Sequence, residues 1–339
     1  MAQRMLFGTR KPRKMKRANK RAWLATIAVA ASAIAGCAPH SKVEGAFDRQ
    51  FTVNGPVTLE LITGKGDANI QSGPPGEVRI HGEVHINSWS SDGGRRRLQQ
   101  LEANPPISQE GSLIRIGGGK QAGGDVAVDY TIVVPQDSQL HSVAGSGDVE
   151  VDGIQGPANF NCGSGDVTAS NINRAVQIVC GSGDVELSKI KGQVQITTGS
   201  GDMTLDTIGG PLRLQTGSGT IEISNPADAL EASTGSGDVT IKGASADIRV
   251  RTSSGDVDVE GNPGATNYWD FHSVSAEVVL HVPSNASFRL HARSKSGDID
   301  AAIPIMMEGT AAKHELRARI GDGKASVEIQ TSSGDISLH

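Results

Sequence analysis

Aromatic side chains are scarce in this sequence: two Tyr, three Trp and six Phe among 339 residues. A compact core of that size needs more large side chains, so the shortage points to a thin, repeated core. Acidic residues are missing from the first 36 positions, which carry nine Lys and Arg. The apolar run at residues 23–35 is shorter than the ~20 residues that a permanent membrane-spanning helix needs. Phosphate-loop chemistry is lacking as well. Neither Gly117-Gly118-Gly119-Lys120-Gln121 nor Gly321-Asp322-Gly323-Lys324-Ala325 has the spaced first Gly or the Ser/Thr after Lys. No Ser/His/Asp order and no nucleophile elbow is found. An enzyme would have no site with assignable roles, and the chain is read as a non-enzyme.

What is there begins with an export signal. A basic run at residues 10–21 precedes the apolar stretch, which ends in Ile34-Ala35-Gly36-Cys37. That ending resembles the lipobox of bacterial lipoproteins: a branched residue, two small ones, then the cysteine that accepts a diacylglycerol. Residues 1–36 are therefore expected to be removed, with lipid attachment at Cys37. Met15 is a more usual start than Met1, because Lys16 to Arg21 already supply the basic end. Ala38, not Asp, follows the cysteine, which favours an outer-membrane destination. Of 32 basic and 37 acidic residues, the leader takes nine basic and no acidic ones, leaving a mature net charge of −14. Such an acidic surface repels nucleic acid and anionic lipid. The partners expected are the membrane, through the Cys37 anchor, and an envelope or extracellular protein or glycan.

Internal repetition is the strongest signal after the lipobox. Gly-Ser-Gly-Asp ends at Asp148, Asp166, Asp184 and Asp202, recurs as Gly217-Ser218-Gly219-Thr220, and returns at Asp238 and, as Ser-Ser-Gly-Asp, at Asp256, always 18 residues apart. Degenerate copies follow at Glu277, Asp298 and Asp335, and Gly64-Lys65-Gly66-Asp67 is an outlying first copy. After each motif comes an apolar-polar-apolar triplet, such as Val185/Leu187 or Met203/Leu205. A turn follows, then a second alternating pair such as Val194/Ile196 or Leu212/Leu214. Period-2 alternation with one buried face is strand grammar. A small residue precedes each motif: Ala144, Cys162, Cys180, Thr198, Thr216, Thr234 and Thr252.

Two short strands and two tight turns in 18 residues predict an all-β fold, a parallel β-helix-like β-solenoid with coils stacked about 4.8 Å apart. A meander of antiparallel hairpins is the rival, but a coil's circumference fixes repeat length more strictly. Trp269/Phe271, Leu290 and Val327/Ile329 align with the inward slots. The expected organisation is a signal peptide at 1–36, a tether at 37–47, an irregular β-rich N-terminal cap at 48–143 and the repeat solenoid at 144–339. A short helix is expected over 95–103, capped by Ser91 or Asp92 and stopped by Asn104-Pro105-Pro106. Residues 303–325 are expected to cover the other end.

These tandem units behind a lipoprotein leader resemble the bacterial putative-adhesin family of β-strand-repeat proteins, whose function is unknown. The resemblance covers about residues 48–339 and implies an all-β repeat fold and a cell-envelope location. It supplies no catalytic or binding residues. Thr220 in place of Asp and Ser275-Ala276-Glu277 depart from its motif. The function expected is that of a non-enzymatic, lipid-anchored adhesin-type or scaffold domain with an acidic elongated surface. The alternative is a β-helix enzyme or binding module acting on polysaccharide, for which Trp89, Tyr130 and Tyr268 are the stacking candidates.

Three polar features remain. In a stacked solenoid Asp148, Asp166, Asp184 and Asp202 form one column, and like charges so placed need compensation. Each carboxylate is expected to cap the N–H groups of its own turn, with structural calcium as the alternative. No other cofactor is expected. His81, Glu83 and His85 alternate along one strand face, the arrangement of a surface zinc site without its fourth ligand. Cys162 and Cys180 share one slot a coil apart and are read as buried thiols, since stacked side chains point in parallel.

Overall fold

The inward slots of the repeat are filled as the alternation requires. The computed structural model describes residues 41–88, 90–118, 125–308 and 313–339, all within the unit Pro39–His339. Val194, Ile196, Leu212 and Leu214 are buried, while Gln193, Gln195, Arg213 and Gln215 are exposed. Each coil gives one strand to a 14-stranded sheet and one to a 15-stranded sheet. In the second coil of the run, Val167–Ser170 lies in the first sheet and Val176–Cys180 in the second. Successive strands pair parallel and in register, Val185 with Met203 and Val194 with Leu212. The pairing is that of a β-solenoid, and no hairpin joins successive copies. Trp269 and Phe271 stand beside Ile248 and Val250 and are fully buried, among the largest fillers of the thin core with Phe160 and Phe288.

The two turns of a coil solve different problems. Gly-Ser-Gly-Asp turns the chain from the second sheet into the first. The other turn needs a left-handed residue once per coil. That position falls at Gly153, Asn171, Lys189, Thr207, Asn225 and Gly243, with φ between 56° and 81°. Glycine and asparagine adopt this conformation readily, and a β-branched residue does not. One position on, Ile154, Ile172, Ile190 and Ile208 plug the end of each coil.

At both ends the spatial order departs from the chain order. Ala68–Gly73 pairs directly with Val149–Asp152, and Val126–Pro135, later in the chain, lies outside it. At the C-terminal end Ile336–Leu338 pairs with both Val278–His281 and Ile299–Ala301, so the last coil inserts between two earlier ones. Copies Glu277, Asp298 and Asp335 therefore stack as Glu277, Asp335, Asp298. Antiparallel strands close the ends. Ser41–Thr52 pairs with Glu77–Ser88, which pairs with Val126–Pro135; Met306–Met307 pairs with Glu315–Ile320, which pairs with Phe288–Ser294.

Three local expectations are corrected. Residues 41–47, expected in the tether, already belong to the strand Ser41–Thr52, because Phe47 is seated on Gly82 of the paired strand. The helix runs Ser91–Ala103 and is capped by Ser90, whose Oγ accepts from the Gly93 N–H at 3.3 Å. It buries Leu98 and Leu101, with Leu98 fitting where Gly45 has no side chain. Cys162 and Cys180 form a disulfide, their Cα atoms 4.5 Å apart. Both are the last residues of their strands and face each other in register at the corner into the repeated turn.

Two consequences are measurable. Thr207→Asn should raise stability by about 1 kcal/mol in denaturant melts, since Thr bears a left-handed strain that Asn tolerates. A lower midpoint would sink the strain argument. Native protein should gain two hydrogens by intact mass on reduction and lose about 3 kcal/mol of stability, as expected for a short closed loop. Two freely alkylated thiols in the native protein would restore the thiol reading.

Candidate functional site

The repeated turn is the most elaborate polar structure on the described residues. The buried residue ahead of the motif is more than small. Thr198, Thr216, Thr234 and Thr252 each accept through Oγ1 from the N–H of the motif's second glycine, at 3.2, 3.0, 3.0 and 3.0 Å. Ser294 and Thr331 do the same for Gly297 and Gly334. That second glycine lies against the carbonyl of its counterpart one coil earlier: a Cβ on Gly183 would overlap the Gly165 oxygen, and one on Gly201 the Gly183 oxygen. Only glycine permits this approach.

The aspartates that follow are bonded along the solenoid axis. Asp148 Oδ1 accepts from the Asp166 N–H at 2.9 Å, Asp166 from Asp184 at 2.8 Å, Asp184 from Asp202 at 2.9 Å, and Asp202 from Thr220 at 2.8 Å. Asp238 and Asp256 continue to Asp256 and Glu277, and the series is led in by Asp129, which accepts from the Asp67 N–H, and Asp67, which accepts from the Asp148 N–H. The expected capping is thus corrected in its direction. Each carboxylate serves the next coil's turn and not its own, because the stacked backbone N–H is closer to hand than the turn's own donors. A charge-assisted bond at each aspartate step offsets the repulsion of the column.

Neither metal candidate becomes a metal centre. Among the described residues no three His, Cys, Asp or Glu side chains converge to hold an ion. His81, Glu83 and His85 do share the outer face of Glu77–Ser88, opposite the buried Val78, Ile80, Val84 and Ile86. Each imidazole instead lies beside an acid of a neighbouring strand. His81 Nδ1 lies 2.8 Å from Asp48, and His85 lies 3.5 Å from Glu44 and 3.2 Å from Asp129.

Of the stacking candidates, Tyr130 is withdrawn: it is buried, and that burial pushes its phenol up to about 12. Trp89 and the lipid-attachment cysteine Cys37 lie outside the described residues. Tyr268 alone is exposed among the described two tyrosines. Its hydroxyl donates to Glu328 Oε2 at 2.7 Å, a bond that, with partial burial, pushes the phenol up to about 12. The glycine-rich Gly321 to Lys324 segment is a turn between Glu315–Ile320 and Ala325–Thr331, with positive φ at Gly321 and Gly323. The arginines beside Tyr268 were missed in the sequence. Reading outward slots, where Arg249 and Arg251 alternate, would have found them.

The stacked coils and their Gly-Asp turns define a non-globular β-solenoid repeat protein. Residues 120–243 and 226–339 match the Toastrack DUF4097 model, and the chain belongs to that family. No curated protein matches the sequence. Similar solved structures include a putative cell adhesion protein from Clostridium sporogenes, 15% identical, covering 87% of this chain and 99% of its own, with a TM-score of 0.23. Putative adhesins from Bacteroides fragilis (12% identity, TM-score 0.37) and Parabacteroides distasonis (11%, 0.33) each cover 87% of this chain and 97% of their own. Likeness at that level carries no functional content.

The aspartate ladder makes a prediction. Asp184→Ala should cost about 1–2 kcal/mol, as loss of a side-chain cap does, whereas Asp184→Asn keeps an acceptor and most of the stability. Thermal melts should not move with excess calcium or chelator. A rise of many degrees with calcium, abolished in the Asp184→Asn/Asp202→Asn double variant, would show that the column holds metal.

Proposed function

We propose that the chain is a non-enzymatic lipoprotein of the cell envelope, acylated at Cys37, whose Toastrack solenoid presents its outer faces to an envelope or extracellular partner in the manner of an adhesin. The observation that carries this reading is the filled interior. Trp269, Phe271 and the aliphatic ladders occupy the space between the sheets, so ligand chemistry is left to the outward rows. The leader sequence supports export. The Cys162–Cys180 disulfide supports an oxidising compartment. Among the described residues no helix is long and apolar enough to cross a membrane, and a diacylated cysteine would provide the attachment. Ala38 favours the outer membrane as the destination.

Labelling of expressing cells with palmitate tests the anchor. The full chain should take up label and sediment with membranes, and Cys37→Ser should lose both properties; label retained in Cys37→Ser would refute acylation there. Isolated envelope and extracellular glycans should then retain the full chain saturably and without turnover. Turnover would replace this reading with the enzyme.

A further inference from the structure

The two sheets differ in the charge of their outer faces. From Glu150 and Asp152 to Asp258 and Glu260, the outward rows of the first sheet carry seven carboxylates against Lys242, with Lys189 exposed at the adjoining turn. The second sheet reverses this toward the C-terminal end. Its strands Ile248–Thr252, Tyr268–His272, Ala325–Thr331, Phe288–Ser294 and Glu315–Ile320 are neighbours in that order. Their register places outward residues in three columns crossing the strands. One column runs Asp247, Tyr268, Ser326, Arg289, Arg319. The next runs Arg249, Asp270, Glu328, His291, Arg317, and the third Arg251, His272, Gln330, Arg293, Glu315. Six arginines and two histidines meet four carboxylates, on a protein whose net charge is negative.

The carboxylates in this lattice are used internally, and the arginines are left with donors to spare. Asp270, its side chain 7% exposed, lies 3.3 Å from Arg249 Nε and 3.9 Å from Arg251, with His272 Nε2 at 2.9 Å. Glu315 Oε1 takes His291 at 3.0 Å, Arg293 at 3.1 Å and Arg317 at 2.8 Å, which holds its carboxyl down to about 2. Glu328 is occupied by the Tyr268 hydroxyl and by Gln330. Arg249 and Arg251 lean on Asp270 and Arg293 and Arg317 on Glu315, while Arg319 is engaged by Glu308. A guanidinium has five N–H donors, so these contacts leave donors for an incoming anion. Arg289 and Arg319 stand directly opposite each other in an antiparallel pair. Like charges so placed oppose pairing, and among the described residues only Arg319 of the two is given an acid partner, Glu308 at 3.6 Å. Beside the columns, a groove of about 360 Å³ is lined by Arg213, Glu231, Asp247, Arg249 and Tyr268.

We propose that this face of the second sheet binds a linear anionic polysaccharide, lying along the columns, with its carboxylates on the arginines and a sugar ring against Tyr268. The inference rests on the surface-presenting reading above and names its ligand class. Arg251 and Arg293 share a column three strands apart, about 14 Å at the spacing of paired strands. A stiff polymer can bridge that distance, which a single small anion cannot. The exposed ring among the cations favours a carbohydrate over a bare polyanion. A second copy offering its acidic first sheet would bring surface ion pairs alone, which contribute little.

Calorimetry on the full chain in mild detergent tests this, with polyuronate, neutral dextran, duplex DNA and anionic-lipid vesicles as probes. Polyuronate should bind, more weakly as salt rises, and dextran should not. R289Q/R293Q should weaken binding by about tenfold or more while leaving the melting temperature within a few degrees, these side chains being exposed. R249Q/R251Q should weaken it likewise when combined with D270N, so that no buried carboxylate is left uncompensated. Tyr268→Phe should bind nearly as the parent, and Tyr268→Ala should lose polyuronate affinity specifically. Polyuronate binding indifferent to the arginine changes would overturn the proposal. So would DNA or vesicles bound as tightly as polyuronate with Tyr268→Ala without effect, or self-association that the arginine variants abolish in place of polyuronate binding. Should polyuronate fail while envelope fractions still retain the chain, the ligand class is wrong and the surface-presenting reading stands.

Discussion

The constraint on which the rest depends is the approach of one coil's backbone to the next at the second glycine of the repeated turn. The Gly183 Cα packs against the Gly165 carbonyl, and the same contact recurs along the run. With that separation fixed, the turn cannot lengthen without breaking register in both sheets, and the circumference of the coil stays at 18 residues. The buried Thr hydroxyl bonds the turn from inside and the aspartate bonds it from the outer side. Where the Thr is replaced by Cys162 and Cys180, no hydroxyl is available, and a covalent link between the two coils stands in the same corner. The ladder skips its step after Thr220 and after Glu277, where the side chain is not an aspartate. Strand pairing and packing carry those coils without it.

Parallel stacking leaves an unpaired edge at each end, and edges invite association. Both ends are handled alike. A coil is displaced from its place in chain order, and antiparallel strands are laid on the outside. At the C-terminal end the final strand thereby lies inside the sheet, paired on both sides.

The uniform middle of the solenoid was legible because every coil has the same neighbours. A residue's slot follows from its position modulo 18, and Val194 and Trp269 fell where their alignment put them. The ends were not legible, since spacings of 21, 21 and 37 show that uniformity has failed without showing which copies meet. The same limit governed the site. That Asp184 needs a donor could be reasoned from its charge, but that the donor is Asp202 N–H required the stacked backbone. Tyr130 looked available because its strand alternates weakly, and only the closure by Ser41–Thr52 and Glu77–Ser88 showed it buried under Phe47. The helix cap shifted to Ser90 for a local reason, since either serine could serve and the chain turns one residue earlier.

A repeat of this kind separates the residues that fold the protein from those that face outward. Inward slots, glycines, the Thr hydroxyls and the aspartates are committed to stacking, and they vary little from coil to coil. Outward slots have no such duty: Gln177, Gln195, Arg213, Glu231 and Arg249 occupy equivalent positions on successive strands. Their chemistry can change without altering the fold, so a departure from random mixing there carries information that inward residues cannot. The first sheet's row of carboxylates and the second sheet's arginine lattice are two such departures, on opposite faces of one scaffold. Solubility asks for charge of either sign, well dispersed. It does not ask for Arg289 opposite Arg319, nor for carboxylates sunk beneath guanidinium groups at Asp270. That arrangement keeps cations ordered at fixed spacing, so less conformational freedom is lost when an anion arrives. The regularity that makes the fold readable also supplies a ruler, and the arginine columns are set along it.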